Sequence, residues 1–164
     1  MGHFFSAGAP VIELRSSGDM FTSGADAMVN PVNCVGTSGA GLAKEFRWRY
    51  PEAQEVYVGA CHSRALKLGS ILVNAVPKRK PNVIVFFPTK QHWRNASVLK
   101  DIDSGLKALR HWLDDRLVKT IAIPALGCGL GGLSFDEVYP LMEKHLDGAW
   151  TEVWVYGPRK KRAN

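Results

Sequence analysis

Apolar and polar positions along the 164-residue chain follow two alternating rhythms. Short, nearly continuous apolar runs predict strands at residues 11–14 (VIEL), 26–32 (DAMVNPV), 70–76 (SILVNAV), 83–87 (VIVFF), 120–126 (TIAIPAL) and 152–157 (EVWVYG). Pro31 is expected to bend or end the second. The basic turn PKRKPN joins the third run to the fourth, which predicts an antiparallel hairpin. Helical stretches lie between the runs. Residues 40–66 read as helix with a break at Pro51, because proline cannot continue the hydrogen-bond ladder. Residues 97–114 form the clearest helix, with Val98, Leu99, Ile102, Leu106, Leu109 and Leu113 on one face. Asp101 and Asp103 lie in its first two turns, where a carboxylate favours the helix dipole. SFDE (134–137) matches a capping box, in which the Ser134 hydroxyl and Glu137 carboxylate satisfy the first free amides of a helix through about residue 146. Pro140 fits that helix poorly and predicts a kink. Strands and helices interleave with no repeat, low-complexity segment or linker. This order predicts one three-layer α/β domain with a mixed central sheet over 11–157.

Composition narrows the class. Apolar residues make up 46% and charged residues 22%, the balance of a globular protein. No apolar run approaches the roughly 20 residues that span a membrane. The first ten residues, MGHFFSAGAP, are too short and lack the basic start of a secretion signal; they read as a native arm or a remnant added for expression. Cys34, Cys61 and Cys128 are odd in number and widely spaced, which predicts reduced thiols and a cytoplasmic protein. The net charge is +6, part of it in the basic tail 158–164. A polyanionic partner or nucleotide-like ligand suits that balance, and a merely solvated tail suits it equally. His62, His111 and His145 lie far apart with no second ligand at metal spacing, so no metal is expected.

Two glycine-rich turns stand where a strand gives way to a helix. In α/β sheets the ligand lies outside the carboxyl ends of the strands. NCVGTSGAGLAKEF (33–46) follows the second strand, and LGCGLGGL (126–133) follows the fifth. Their glycines let the backbone approach a ligand, and free amides at the following helix make an anion site. Two such turns suit the two phosphates of a pyrophosphate. Neither contains Gly-Lys-Ser/Thr, so nucleoside triphosphate hydrolysis is disfavoured. Cys128 has no base partner in the sequence and reads as a small residue near the phosphates rather than a nucleophile.

Lys90 poses a separate question. In VIVFFPTKQHWR (83–94) it is expected just past the strand's carboxyl end, after Thr89 and before His92, Trp93 and Arg94. Trp93 either stacks on a base or packs under its loop, with packing favoured. Arg94 contacts a phosphate or is solvated. RWRY (47–50) reads as a helix face.

These segments together resemble the macrodomain family of ADP-ribose-binding α/β/α proteins from about Ile12 to Tyr156. SGDMF (17–21) resembles the family's Gly-Asp-Ile/Leu segment, which implies Asp19 at the adenine amino group, with Met20 beside it. VNPVN (29–33) resembles Val-Asn-x-x-Asn, which implies Asn33 at the distal ribose. SGAGLA and ALGCGLGG resemble the two phosphate loops, which implies ligand contacts at Ser38, Gly39, Ala40, Gly41 and Leu42, and at Gly127, Cys128, Gly129, Leu130 and Gly131. Tyr156 falls where macrodomains often place an aromatic against adenine. PTKQHWR followed by SVLKDIDSGLKAL resembles the DarG-type macrodomains, which remove ADP-ribose from thymidine in DNA, and more distantly the terminal ADP-ribose protein glycohydrolases. The resemblance implies Lys90 as the catalytic residue at the anomeric carbon, assisted by Asn33, with Thr89 adjoining.

An uncharged Lys90 amine would trap the ring-opened sugar as a Schiff base, which needs a pKa depressed by burial; a charged one would assist the leaving group or only bind. In the terminal protein glycohydrolases an aspartate works with the lysine; Gly131 stands at that position here, which favours the DarG-like pattern. The implied function is an ADP-ribosyl glycohydrolase acting on DNA, with no cofactor and no metal. The implied partners are ADP-ribose, ADP-ribosylated DNA and a DarT-like toxin, and the protein is expected to be a monomer. The alternatives are a binding module without chemistry and a glycohydrolase for acidic protein side chains; a phosphatase for ADP-ribose 1″-phosphate would need catalytic groups not apparent here.

Overall fold

A computed structural model describes residues 12–116 and 118–158; the N-terminal arm and all of the basic tail except Pro158 lie outside them. Six strands form one sheet: β1 (Ile12–Arg15), β2 (Ala27–Asn33), β3 (Leu72–Ala75), β4 (Val83–Lys90), β5 (Thr120–Ile123) and β6 (Glu152–Tyr156), in the order β1-β6-β5-β2-β4-β3. β1, β6, β5, β2 and β4 are parallel. β3 pairs antiparallel with β4, Leu72 opposite Phe86 and Ala75 opposite Val83, as the hairpin reading expects. Four helices cover the sheet: α1 (Gly41–Arg49), α2 (Pro51–His62), α3 (Leu99–Asp115) and α4 (Phe135–Leu146).

Strand alternation sorts the apolar runs onto two faces. Val29, Val85 and Phe87 pack with Ile102, Leu106 and Leu109 of α3 and Met142 of α4. Met28, Val32, Ile84 and Phe86 pack with Phe46 of α1 and Tyr57 and Cys61 of α2. A sheet buried on both faces explains why its strands read as continuous apolar runs. Among the described residues no helix is long and apolar enough to cross a membrane.

Several expected boundaries move. The helix expected over 40–66 is two helices ending at His62, with Tyr50 at φ −134° and ψ 66° between them. Pro51 opens α2, where its missing N–H costs nothing. Pro31 does not end β2, which runs on to Asn33. β5 pairs with β2 only at Ala27 and Met28, so that edge of β2 has no ladder at Pro31. β3 begins at Leu72 and β5 ends at Ile123, before Pro124. β6 ends at Tyr156. Ser134 is the N-cap of α4, but its side chain makes no capping bond, so the capping box is not formed. α4 runs continuously from Phe135 to Leu146 with Pro140 inside it. Asp101 lies in the first turn of α3, whereas Asp103 joins α3 to α4, meeting His145 Nε2 at 2.7 Å and Lys144 Nζ at 3.2 Å.

β4 departs furthest from expectation. Pro88, Thr89 and Lys90 stay in the strand. Val32 pairs with Pro88 and Asn33 with Lys90, so Thr89 is an extra residue in a bulge. Lys90 therefore ends the strand beside Asn33 rather than following it.

Gly105 of α3 lies against the buried Phe87 ring; a Cβ there would overlap the ring and reach its Cε1 at 2.8 Å. Gly105→Ala gains about 1 kcal/mol of helix propensity but overpacks a rigid aromatic, which costs up to about 3 kcal/mol. The overlap wins, and chemical denaturation is expected to show a net loss of about 1–2 kcal/mol.

Candidate functional site

The parallel strands end on one edge of the sheet at Arg15, Asn33, Lys90, Ile123 and Tyr156. The loops that follow them carry the candidate residues, as the carboxyl-end rule expects. The first glycine loop is built around Asn33. Its Oδ1 accepts from the amides of Val35 (3.0 Å), Gly36 (3.1 Å) and Thr37 (3.3 Å), and its Nδ2 donates to Thr37 O (2.8 Å). The Tyr57 hydroxyl donates to Asn33 O and Oδ1, at 2.8 and 2.9 Å. Burial pushes the Tyr57 phenol up, which keeps it a donor. Asn33 is thus buried and committed to shaping the loop; its second Nδ2 hydrogen is what remains for a ligand.

Beyond that knot, loop and helix present free amides. Ala40, the N-cap of α1, makes no side-chain cap bond. Among the described residues none accepts from the amides of Ser38, Gly39, Ala40, Gly41 or Leu42. Gly41 takes φ +58°, a conformation that favours glycine. Ser38 itself is buried, and its Oγ accepts from Gln54 Nε2 at 3.0 Å, so its side chain anchors the loop to α2.

The second loop is folded by Leu133 N to Gly127 O (2.9 Å) and Gly132 N to Gly129 O (3.2 Å). The amides of Gly129, Leu130 and Gly131 have no acceptor among the described residues, which makes three consecutive free donors. Gly127 takes φ +73°, and a Cβ there would meet Leu133 Cδ1 at 2.9 Å. Gly131 is wedged on Ser97. A Cβ on it would overlap Ser97 Oγ and stand 2.6 Å from Gly127 O, while Ser97 N donates to Gly131 O at 2.9 Å. An aspartate cannot occupy this position without displacing the backbone. Asp136 is exposed in the first turn of α4.

Lys90 is half-buried at the end of β4. Among the described residues its ammonium has no carboxylate within 4 Å. The bulge sets it beside Asn33. Cys34 N donates to Gln91 O at 3.0 Å, which extends the β2–β4 junction past the lysine. Thr89 is buried, its hydroxyl turned to Val32 O at 3.4 Å, so it shapes the bulge rather than meeting a ligand through that hydroxyl. Trp93 does not pack under its loop as favoured: it is 47% exposed, with the Arg94 guanidinium 4.6 Å from its ring centroid.

Asp19 is exposed at the start of a short 3₁₀ turn (Met20–Thr22), and one of its oxygens accepts from Phe21 N at 2.9 Å. Met20 is in the core, which leaves only its main chain for a ligand. Tyr156 is largely buried at the end of β6 and takes a hydrogen bond from Arg15 Nη1 at 3.0 Å. Asn30 is fully buried beside Phe46, Tyr50, Gln54 and Phe86. Tyr57, Gln54 and Ser97 position the site and escaped sequence reasoning. Each belongs to a helix or loop remote in sequence from the residue it holds, and no local pattern marks them.

Burial pushes the Cys34 and Cys128 thiols up to about 11 and raises Cys61 as well. Cys128 Sγ lies 3.5 Å from Leu126 O. A protonated thiol beside the free amides of the second loop is filler, not a nucleophile.

Comparison with known proteins follows the same lines. A model of the family described as "Macro domain" matches residues 29–142. The DNA ADP-ribosyl glycohydrolase of Thermus aquaticus is 38% identical over 143 residues, covering 86% of this chain and 40% of that protein. The macrodomain of Mycobacterium tuberculosis DarG superposes with a TM-score of 0.88 at 34% identity, covering 92% of this chain and 99% of that one. Thermosipho africanus DarTG, solved in complex with ADP-ribose, superposes with a TM-score of 0.85 at 34% identity, covering 93% of this chain and 43% of that one. The chain spans about two fifths of the length of the curated relatives it matches.

Asn33→Ala would leave three loop amides without their acceptor, while the Tyr57 hydroxyl keeps the main-chain carbonyl of residue 33. A loss of about 1–3 kcal/mol is expected, with faster hydrogen exchange at Val35, Gly36 and Thr37. Iodoacetamide at pH 7.5 is expected to label Cys34 and Cys128 slowly in the native protein, and faster as the pH approaches about 11. Peptide mapping after timed labelling checks this.

Proposed function

Since the chain belongs to the macro domain family, we propose that it binds ADP-ribose and hydrolyses its bond to thymidine in DNA. The observation that carries this reading is Lys90, set beside Asn33 by the β4 bulge and free of any acidic partner among the described residues. Support comes from the relatives named for DNA ADP-ribosyl glycohydrolysis and from the ADP-ribose complex of Thermosipho DarTG.

In this reading the pyrophosphate lies between the free amides of residues 38–42 and those of 129–131, each a donor to a phosphate oxygen. The free oxygen of Asp19 takes the adenine amino group, Tyr156 packs nearby, and the spare Nδ2 hydrogen of Asn33 meets the distal ribose. Water adds across the glycosidic bond: its hydroxyl goes to the anomeric carbon and its proton to the base nitrogen that leaves. Lys90 acts at that carbon. The reaction needs water and no cofactor. The blocked position at Gly131 disfavours the Lys–Asp pair of the protein-directed enzymes, which is why a DNA linkage is preferred. The name DarTG pairs such a domain with a second component, and we propose a DarT-like transferase as the functional partner.

The test is incubation with thymidine-ADP-ribosylated DNA, with released ADP-ribose read by mass spectrometry. The parent protein is expected to release it and Lys90→Ala to do so at least about a hundredfold more slowly, with ADP-ribose affinity kept in calorimetry. Borohydride added during turnover traps the sugar on Lys90 if a Schiff base forms, and leaves the protein mass unchanged if Lys90 acts as a cation. No release from the parent, with ADP-ribose still bound, would reduce the protein to a binding module.

A further inference from the structure

The segment 91–98 between β4 and α3 is fastened at both ends to the candidate site. Cys34 N donates to Gln91 O at 3.0 Å, tying it to the first glycine loop, and Ser97 N donates to Gly131 O at 2.9 Å, tying it to the second. Between these anchors it is locked by its own bonds: His92 N to Asn95 Oδ1 (3.0 Å), Asn95 N to His92 O (2.9 Å) and Arg94 N to His92 Nδ1 (3.1 Å). None of these bonds uses the Trp93 side chain. The ring is nevertheless held, with the Arg94 guanidinium 4.6 Å from its centroid and the His92 ring at 5.1 Å and 31°.

A large aromatic held half-exposed on a rigid segment is costly in water and pre-organised for stacking. Its surroundings select the occupant. Each of the three tied loops carries an exposed apolar side chain: Val35 in the first, Val98 at the far end of segment 91–98, and Leu130, 74% exposed, in the second. Arg94 is exposed and adds a cation, and Lys90 stands three residues away at the strand end. A ring, apolar neighbours and a cation match a nucleobase and its phosphate. An acidic protein side chain as leaving group offers neither a π-face nor a backbone phosphate.

We infer that Trp93, backed by Arg94, is the stacking platform for the nucleobase that carries ADP-ribose, and that it sets the preference for a nucleic-acid leaving group. The inference deepens the proposed DNA hydrolase and rests on it. The platform binds the leaving group, whereas the amides of the two loops bind ADP-ribose. The two affinities therefore separate.

The experiment compares the parent with Trp93→Ala and Trp93→Phe in three measurements: turnover of a thymidine-ADP-ribosylated single-stranded oligonucleotide, calorimetric ADP-ribose binding, and anisotropy of a labelled unmodified single strand. Trp93→Ala is expected to raise KM for the oligonucleotide about tenfold, weaken the unmodified strand similarly and leave ADP-ribose affinity unchanged; Trp93→Phe keeps most of the parent's behaviour. Unchanged KM and unchanged strand binding in Trp93→Ala would overturn the inference while leaving the hydrolase intact. Parallel loss of ADP-ribose affinity would also overturn it, since Trp93 would then be part of the loop scaffold. If the parent releases nothing, the hydrolase reading fails, and strand binding alone decides whether the platform exists.

Discussion

The side-chain amide of Asn33 is the joint on which the site turns. One oxygen takes three successive loop amides and a share of the Tyr57 hydroxyl, while the nitrogen closes on Thr37 O. A loop leaving the middle of a parallel sheet has no ladder to satisfy its amides, and unpaired buried amides cost about 1–3 kcal/mol each. Asn33 supplies in one residue what a ladder would supply in several. The amides beyond that knot, from Ser38 to Leu42, have no acceptor among the described residues. Asn33 is also the register partner of Lys90, so loop geometry and the lysine's position share one origin.

From this joint follows a division of labour. Several side chains that look like ligand contacts are turned to the scaffold: Ser38 to Gln54, Thr89 to Val32, Tyr156 to Arg15. The groups left without partners among the described residues are main-chain amides. An anion cradle made of amides has fixed geometry and pays no side-chain entropy when a ligand arrives. Glycine is needed at few places for that purpose. Gly41 and Gly127 take positive φ, and Gly131 has no room for a side chain. The last constraint is steric: the contact with Ser97 and with Gly127 O leaves no room for a Cβ of any kind, an acidic side chain included.

The bulge at Thr89 shows how a small irregularity re-aims a functional group. Without the extra residue Lys90 would fall one position further along and its side chain would swing to the other face of the sheet. The hydrogen bond from Cys34 to Gln91 holds the junction beyond the bulge, and the two ties of segment 91–98 connect it to both loops. The strand end at Lys90, the two glycine loops and the segment carrying Trp93 and Arg94 are thereby joined by backbone hydrogen bonds.

Much of this was legible in the chain. Continuous apolar runs at β2, β4 and β5 announce strands buried on both faces, because both faces carry helices. The apolar positions from Leu99 to Leu113 announce α3, whereas Val98, expected on the same face, is its exposed N-cap. The two glycine turns announce loops rich in free amides at the carboxyl ends of β2 and β5. Those signals are local: each depends on residues within one element. The strand ends were less legible, since Pro31 and Pro88 look like terminators until the missing β5 ladder and the bulge are seen. The capping box at Ser134 was a local pattern that the backbone did not use. Tyr57, Gln54 and Ser97 carried no signal, because a hydrogen bond between residues far apart in sequence leaves no periodicity to read. The amino-acid sequence by itself determined which segments become strands, helices and glycine-rich loops, through local spacing and backbone preference. Only the tertiary structure decided that Lys90 stands beside Asn33, that Gly131 admits no acid and that Trp93 stays exposed, because those depend on register and packing between segments that meet only in the folded chain.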